Sequence, residues 1–210
     1  MKKTLFAAAV VAAFTFSACS ENTTENTEAT AEHHDDMDHG HAEAGQADGT
    51  VVVETPDYGN VAEPFKTQVS QLVDQYMKLT DALVASDPAT AKAAANEVLT
   101  VAKAMPIATL TTDEKAYAEE HTAVVVDRAT KIAGSDDLAA QRENLEPLSE
   151  SVFSMAKAFD AADGTLYYQH CPMAFNNKGA YWVSSKEEIR NPYFGDAMLS
   201  CGSNKEVYKK

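Results

Sequence analysis

Basic residues are scarce. Seventeen lysines and arginines stand against 32 aspartates and glutamates, a formal net charge of −15 at pH 7. That balance excludes the basic footprint on which nucleic-acid binding rests. Cysteine occurs three times in 210 residues, and no pair is spaced as Cys-x-x-Cys or Cys-x-x-Cys-His, so a thioredoxin-like redox site and a haem attachment site are both missing. Gly-x-Ser-x-Gly and phosphate-cradling glycine-rich loops are missing too. The sequence is therefore read as a non-enzyme, with a hydrolase or reductase on an unusual site as the third-ranked alternative.

What is present begins with a leader. Lys2 and Lys3 precede an apolar run, Leu5 to Phe16, that is too short to remain as a membrane span, so residues 1–18 read as a signal peptide. The run ends in Phe16, Ser17 and Ala18 before Cys19, and small residues just before a cysteine resemble the site cut by the lipoprotein signal peptidase. Cys19 is then the lipidated N-terminus, whose two or three acyl chains hold firmly where one would not. A plain secretory cut after Ala18 is the alternative. The expected location is the cell envelope, anchored to the outer membrane and facing the periplasm or the cell surface. With Cys19 taken by the anchor, Cys171 and Cys201 remain as a pair, which in an oxidising compartment is a disulfide or a metal site.

Residues 19–60 read as a lipidated N-terminus and tether. From Ser20 to about Gly49, Met37 is the sole large apolar residue. Such a composition buries too little surface to offset its ordering entropy, so disorder is expected. Within it, EHHDDMDHGH carries His33, His34, His39 and His41, four of the six histidines, beside Asp35, Asp36 and Asp38. A short histidine-rich tract is a compositional signal for auxiliary metal capture through imidazole and carboxylate; a hydrophilic spacer is the plain alternative.

Residues 61–210 carry the domain. Phe65, Val69, Leu72, Val73, Tyr76, Leu79 and Leu83 recur at three- and four-residue steps, one buried face of a helix. Ser86-Asp87-Pro88 ends that helix and starts an alanine-rich second one, which runs to Met105 and stops at Pro106. A third opens on the capping-box pattern Thr111 to Glu114 and ends at Gly134. The fourth carries Leu138, Leu145, Leu148, Val152, Ala156 and Phe159, with a kink or break expected at Pro147. Short connections predict a mainly α fold, an antiparallel up-and-down four-helix bundle. Two polar residues sit on the apolar stripes: His121, a candidate ligand or a hydrogen-bonded boundary residue, and Arg142, an ion-pair partner or a binder of carbonyls in the C-terminal segment.

After Gly164 aromatics replace the helical period, and the bundle is expected to carry an aromatic-rich, partly β or irregular cap. Asn176, Asn177 and Gly179 are turn formers before a strand-like Ala180 to Val183, which predicts a hairpin or tight loop. Ser184-Ser185-Lys186 reads as a helix start, and Asp196 to Gly202 as one helical turn. Cys171 and Met173 share a side if their stretch is extended, and Met198 and Cys201 share a face if theirs is a helical turn. The two thiols and two thioethers could then converge, with His170 beside them, on a soft ion: copper(I) before harder ions, with silver and zinc as alternatives. A Cys171 to Cys201 disulfide closing a loop of about thirty residues, worth roughly 3 to 4 kcal/mol, competes with that reading. Plain packing of Met173 and Met198 is the third possibility.

The stretch CPMAFNNKGAYWVSSKEEIRNPYFGDAMLSCG resembles the signature of the family designated domain of unknown function 3347: Cys-Pro-Met-Ala, Gly-Ala-x-Trp, Ile-x-Asn-Pro-Tyr-Phe-Gly, then Met-x-x-Cys-Gly. With the preceding helices the likeness covers roughly Pro64 to Gly202. That family occurs as stand-alone secreted proteins or lipoproteins and attached to periplasmic adaptors of copper and silver efflux systems. The resemblance implies heavy-metal handling and places Cys171, Met173, Met198 and Cys201 on its motif. The expected function is a membrane-tethered periplasmic metal-binding protein that buffers copper or delivers it to efflux. The alternative is a disulfide-pinned interaction module that docks an efflux adaptor or another envelope partner.

Overall fold

The computed structural model describes residues 52–210. The signal segment, Cys19 and the tract of His33, His34, His39 and His41 lie outside the described residues.

The fold is mainly helical, with a small three-stranded antiparallel sheet at its C-terminal end. The helices are α1 (Glu63–Val84), α2 (Pro88–Lys103), α3 (Thr112–Ala133), α4 (Leu138–Glu143) and α5 (Leu145–Ala158). Their ends follow local chemistry. The Asp87 side chain accepts from the backbone N–H groups of Ala89 and Thr90 at 3.0 Å each, and Pro88 supplies a pre-set first turn to α2. Thr111 and Glu114 form the expected capping box on α3. Asp137 caps α4.

The sequence's fourth helix is two. Pro147 has no N–H and its ring crowds the carbonyl four residues back, that of Glu143. Accordingly α4 ends at Glu143, Asn144 forms the joint, and α5 begins at Leu145. The break falls before Pro147, at the carbonyl the proline cannot serve.

The apolar face of α1 is buried as its spacing predicts, from Phe65 through Leu83. It packs on α2 and α5, while α3 packs on α2 and α5. Phe159, just past α5, gathers Phe65, Tyr58 and Tyr117 around its ring. Each fully buried side chain of this size contributes about 1.5–3 kcal/mol of transfer free energy.

The sheet consists of β1 (Leu166–Cys171), β2 (Ala180–Ser184) and β3 (Ser203–Tyr208), ordered β2-β1-β3, with a four-residue turn α6 (Ala174–Asn177) between β1 and β2. It stacks on the helices through rings: Phe153 of α5 lies 4.9 Å from Tyr168, and Tyr168 lies 4.9 Å from Tyr181. The outer edge of β2 is closed by side chains. The Val183 N–H donates to the Tyr76 hydroxyl at 3.0 Å, and the Tyr181 N–H donates to Glu146 Oε1 at 3.1 Å. Unpaired strand groups are thereby satisfied by the helices themselves. On the other side, Lys157 Nζ donates to Val53 O at 2.7 Å and to Glu206 Oε1 at 2.5 Å, and Val53 N donates to Glu206 Oε2 at 2.6 Å. The entry segment is tied to α5 and β3 together.

Two expectations for the C-terminal segment are corrected, and one strand is added to them. Strand β3 was not read from the sequence. No helix begins at Ser184; the carbonyls of Lys186 and Glu187 accept from Gln169 Nε2, and that of Glu187 also from Asn204 Nδ2, which leaves them unavailable to a helical ladder. The expected helical turn over 196–202 is a 3₁₀ turn at Gly195–Ala197 followed by a separate turn in which Cys201 N donates to Met198 O at 3.1 Å.

Candidate functional site

Strand β1 ends at Cys171 and strand β3 starts two residues after Cys201, so the sheet brings the two cysteines to one end of the paired strands. His170 pairs with Ser203 in that register. Between the ladder and Cys201 lies Gly202, at φ +148°. A Cβ there would sit 2.8 Å from the carbonyl oxygen of His170 and 2.9 Å from the Trp182 ring. Only glycine permits so close an approach of the two backbones.

The Cys171 and Cys201 sulfurs are 3.0 Å apart. Both cysteines are free thiols, Cys171 buried and Cys201 partly exposed. The hydrogen bond to Cys171, with burial added, pushes the Cys201 thiol from its ordinary 9.0 up to about 11, against a smaller opposing pull from the Met173 backbone amide. The metal-free Cys201 thiol is therefore protonated at neutral pH.

Asn191, which is fully buried, organises the second arm. Its Nδ2 donates to Cys201 O at 2.8 Å, and its Oδ1 accepts from the N–H of Tyr193 at 2.8 Å and of Phe194 at 3.3 Å. Its backbone N–H donates to Leu199 O at 2.8 Å. An asparagine before proline signals a turn; that it also holds the carbonyl of a cysteine ten residues away is not written in local spacing. Arg142 fastens the arm to the helices. Nε donates to Pro192 O at 2.7 Å, and Nη2 donates to Leu83 O at 3.1 Å and Ser86 Oγ at 3.0 Å. The carbonyl-binding role read for Arg142 is thus the one found, on Pro192 of the C-terminal segment.

The thioethers stand apart from the thiols. Cys171 and Met173 do not share a side of one strand, because β1 ends at Cys171 and Pro172 turns the chain outward. Met173 is 47 % exposed, while Cys171 is buried. Met173 and Met198 line one cleft of about 500 Å³, with Phe175, Tyr193 and Phe194 among its walls.

The histidines are elsewhere. Successive residues of a strand face opposite sides, and the ring of His170 packs on Tyr181 at 4.3 Å and over Gly179 rather than toward the sulfurs. His121 lies on α3 with its ring 4.3 Å from Tyr117. Burial holds both imidazoles below their ordinary range. Among the described residues, no three His, Cys, Asp or Glu side chains gather as a metal-ligand group.

A helical layer capped by a sheet that brings two cysteines into contact defines the class. Residues 72–164 match the family described as Protein of unknown function (DUF3347). The match runs from within α1 to just before β1, so the cysteine and methionine motifs lie beyond it. No curated protein and no solved structure matches the chain.

Proposed function

We propose that this protein is a membrane-tethered, non-enzymatic binding protein for a soft metal ion, copper(I) first and silver(I) next. Cys171 and Cys201 hold the ion, and the protein buffers it or delivers it to an efflux system. The observation that carries the reading is the 3.0 Å contact between a buried and a partly exposed thiol. A closed zinc site wants four nitrogen, sulfur or oxygen ligands. Two thiolates with thioethers nearby suit a soft monovalent ion instead. The sulfurs part slightly to admit it, and each thiol releases its proton. The family's association with copper and silver efflux adaptors is the reason for naming efflux. Lipidation at Cys19 supplies the membrane, and His33, His34, His39 and His41 add an independent capture tract. The packing of α1 on α2, α2 on α3, α3 on α5 and α5 on α1 supports an up-and-down four-helix bundle in which α4 and α5 form one interrupted helix.

Anaerobic copper(I) titration of the reduced full chain, beside the Cys171→Ser/Cys201→Ser double variant, tests the assignment. The reduced chain is expected to take up one ion more per chain than the variant. Equal uptake by both proteins, or none by either, sinks it.

The same contact favours a second reading. Oxidation would bring the sulfurs to about 2.05 Å and pin the aromatic cap as a docking module for an envelope partner. Thiol counting on protein purified from the envelope separates the two: a Cys171 to Cys201 bond that resists mild reductant selects the pinned module.

A further inference from the structure

We infer that Met173 and Met198 form a distinct thioether site for a soft monovalent ion, at the mouth of the thiol pair rather than as part of one four-sulfur centre. The inference rests on the soft-metal reading of Cys171 and Cys201.

Geometry divides the four sulfurs two and two. Cys171 is buried and touches Cys201. Met173 stands on the turn that leaves β1, and Met198 opens the turn that closes on Cys201. Both methionines line the same cleft, and both are joined to the thiol pair through the backbone, since Cys201 N donates to Met198 O and the Met173 amide acts on the Cys201 sulfur.

Exposure of Met173 needs a reason. Methionine is usually core filler, yet Met173 is one of the three large apolar side chains that stand exposed among the described residues. The backbone that follows it is left-handed. Phe175, Asn176 and Asn177 follow one another at φ 50°, 59° and 64°. Three consecutive left-handed residues are unusual, most of all at an aromatic one, and persist where the surroundings over-determine them. Phe175 is fixed by Tyr193, its ring 5.4 Å away, and both rings line the cleft.

The chemistry gives the two sites different tasks. A thioether carries no proton, so it takes up a soft ion without first losing one. A bound thiolate adds a full negative charge and holds the cation more tightly. The methionines capture, and the thiolates retain.

Silver(I) in chloride-free buffer is the probe, and the readout is the methyl NMR signal of the seven methionines in the full chain labelled at methionine methyl groups. In the Cys171→Ser/Cys201→Ser variant, silver(I) should shift the signals of Met173 and Met198 together, to a common saturation. Met77, Met105 and Met155 should stay in place; Met173→Leu and Met198→Leu assign the two signals. If the double variant shows no shift at either residue while the unsubstituted chain still takes up one more silver(I) than that variant, the thioether site is overturned and the thiol reading survives. If the unsubstituted chain binds no silver(I), both fall. Movement of Met173 without Met198 also overturns a shared site.

Discussion

Arg142 Nε donates to the carbonyl of Pro192, 2.7 Å away and fifty residues on in the chain. One planar guanidinium thus fastens the loop that carries Asn191 and Cys201 to the end of α1. A lysine has one nitrogen and cannot occupy both the place of Nε, which reaches Pro192, and that of Nη2, which reaches Leu83 and Ser86. Arg142→Lys should cost about 2–3 kcal/mol, read as a lowered urea midpoint followed by the fluorescence of Trp182. A midpoint unchanged from the parent would show that the three acceptors are satisfied without the guanidinium.

The Tyr76 hydroxyl joins α1, α5 and β2, since it lies 2.6 Å from Ser149 Oγ and accepts from the Val183 N–H at 3.0 Å. Removing it leaves the buried Val183 N–H unpaired, while Ser149 Oγ keeps only its bond to Leu145 O. Tyr76→Phe is expected to lose about 1–3 kcal/mol. The amide of Val183 should also lose hydrogen-exchange protection beyond that global loss; retention of its relative protection would contradict the assigned bond.

The Cys201 thiol is held up to about 11 by its hydrogen bond to Cys171 and by burial. Its alkylation rate in the metal-free protein should therefore climb about tenfold per pH unit past pH 9 before levelling. A plateau reached by pH 9 would refute the thiol contact. The sign for stability follows from the raised value. The contribution of this thiol is fully present below its ordinary 9.0 and is lost as pH rises through about 11. Apparent affinity for a thiolate-bound metal should fall as pH falls, because protons compete for both sulfurs.

Gly202 passes the carbonyl of His170 and the ring of Trp182 with no room for a Cβ. Gly202→Ala combines a positive φ with an overlap under 3 Å, so a loss of about 3 kcal/mol or more is expected. Trp182 emission should shift with it, and the rate of disulfide formation under mild oxidant should change because the sulfurs are displaced. Unaltered emission together with unaltered oxidation would count against the close crossing.

Periodicity made the helices legible, because a buried face at 3.6-residue spacing is a local property of the sequence. Even the break in the fourth helix follows from Pro147, once its clash is counted back to Glu143. The turn through Asn176, Asn177 and Gly179 was equally local. Strand β3 was not legible: its residues, Ser203 to Tyr208, show no apolar alternation because it is an edge strand, partly exposed along its length. Asn191 was readable as a turn former but not as the holder of Cys201, a contact made only in three dimensions. Met173 departs from strand alternation because Pro172 ends the strand, so a rule valid in an extended segment did not apply one residue further on. The pairing of Cys171 with Cys201 was foreseeable from the count of cysteines, whereas the division of the four sulfurs depended on the fold.

The closed edge of β2 has a consequence for inheritance. Tyr76 and Glu146 belong to helices within the matched segment 72–164, yet they complete a strand that begins at residue 180. Lys157, also inside that segment, fastens Val53 before it and Glu206 after it. A gene fusion or deletion cut at the borders of the matched segment would strand these groups. The unit that can be passed intact from one protein to another runs from Val53 to Tyr208, and helices and thiol pair travel together or not at all.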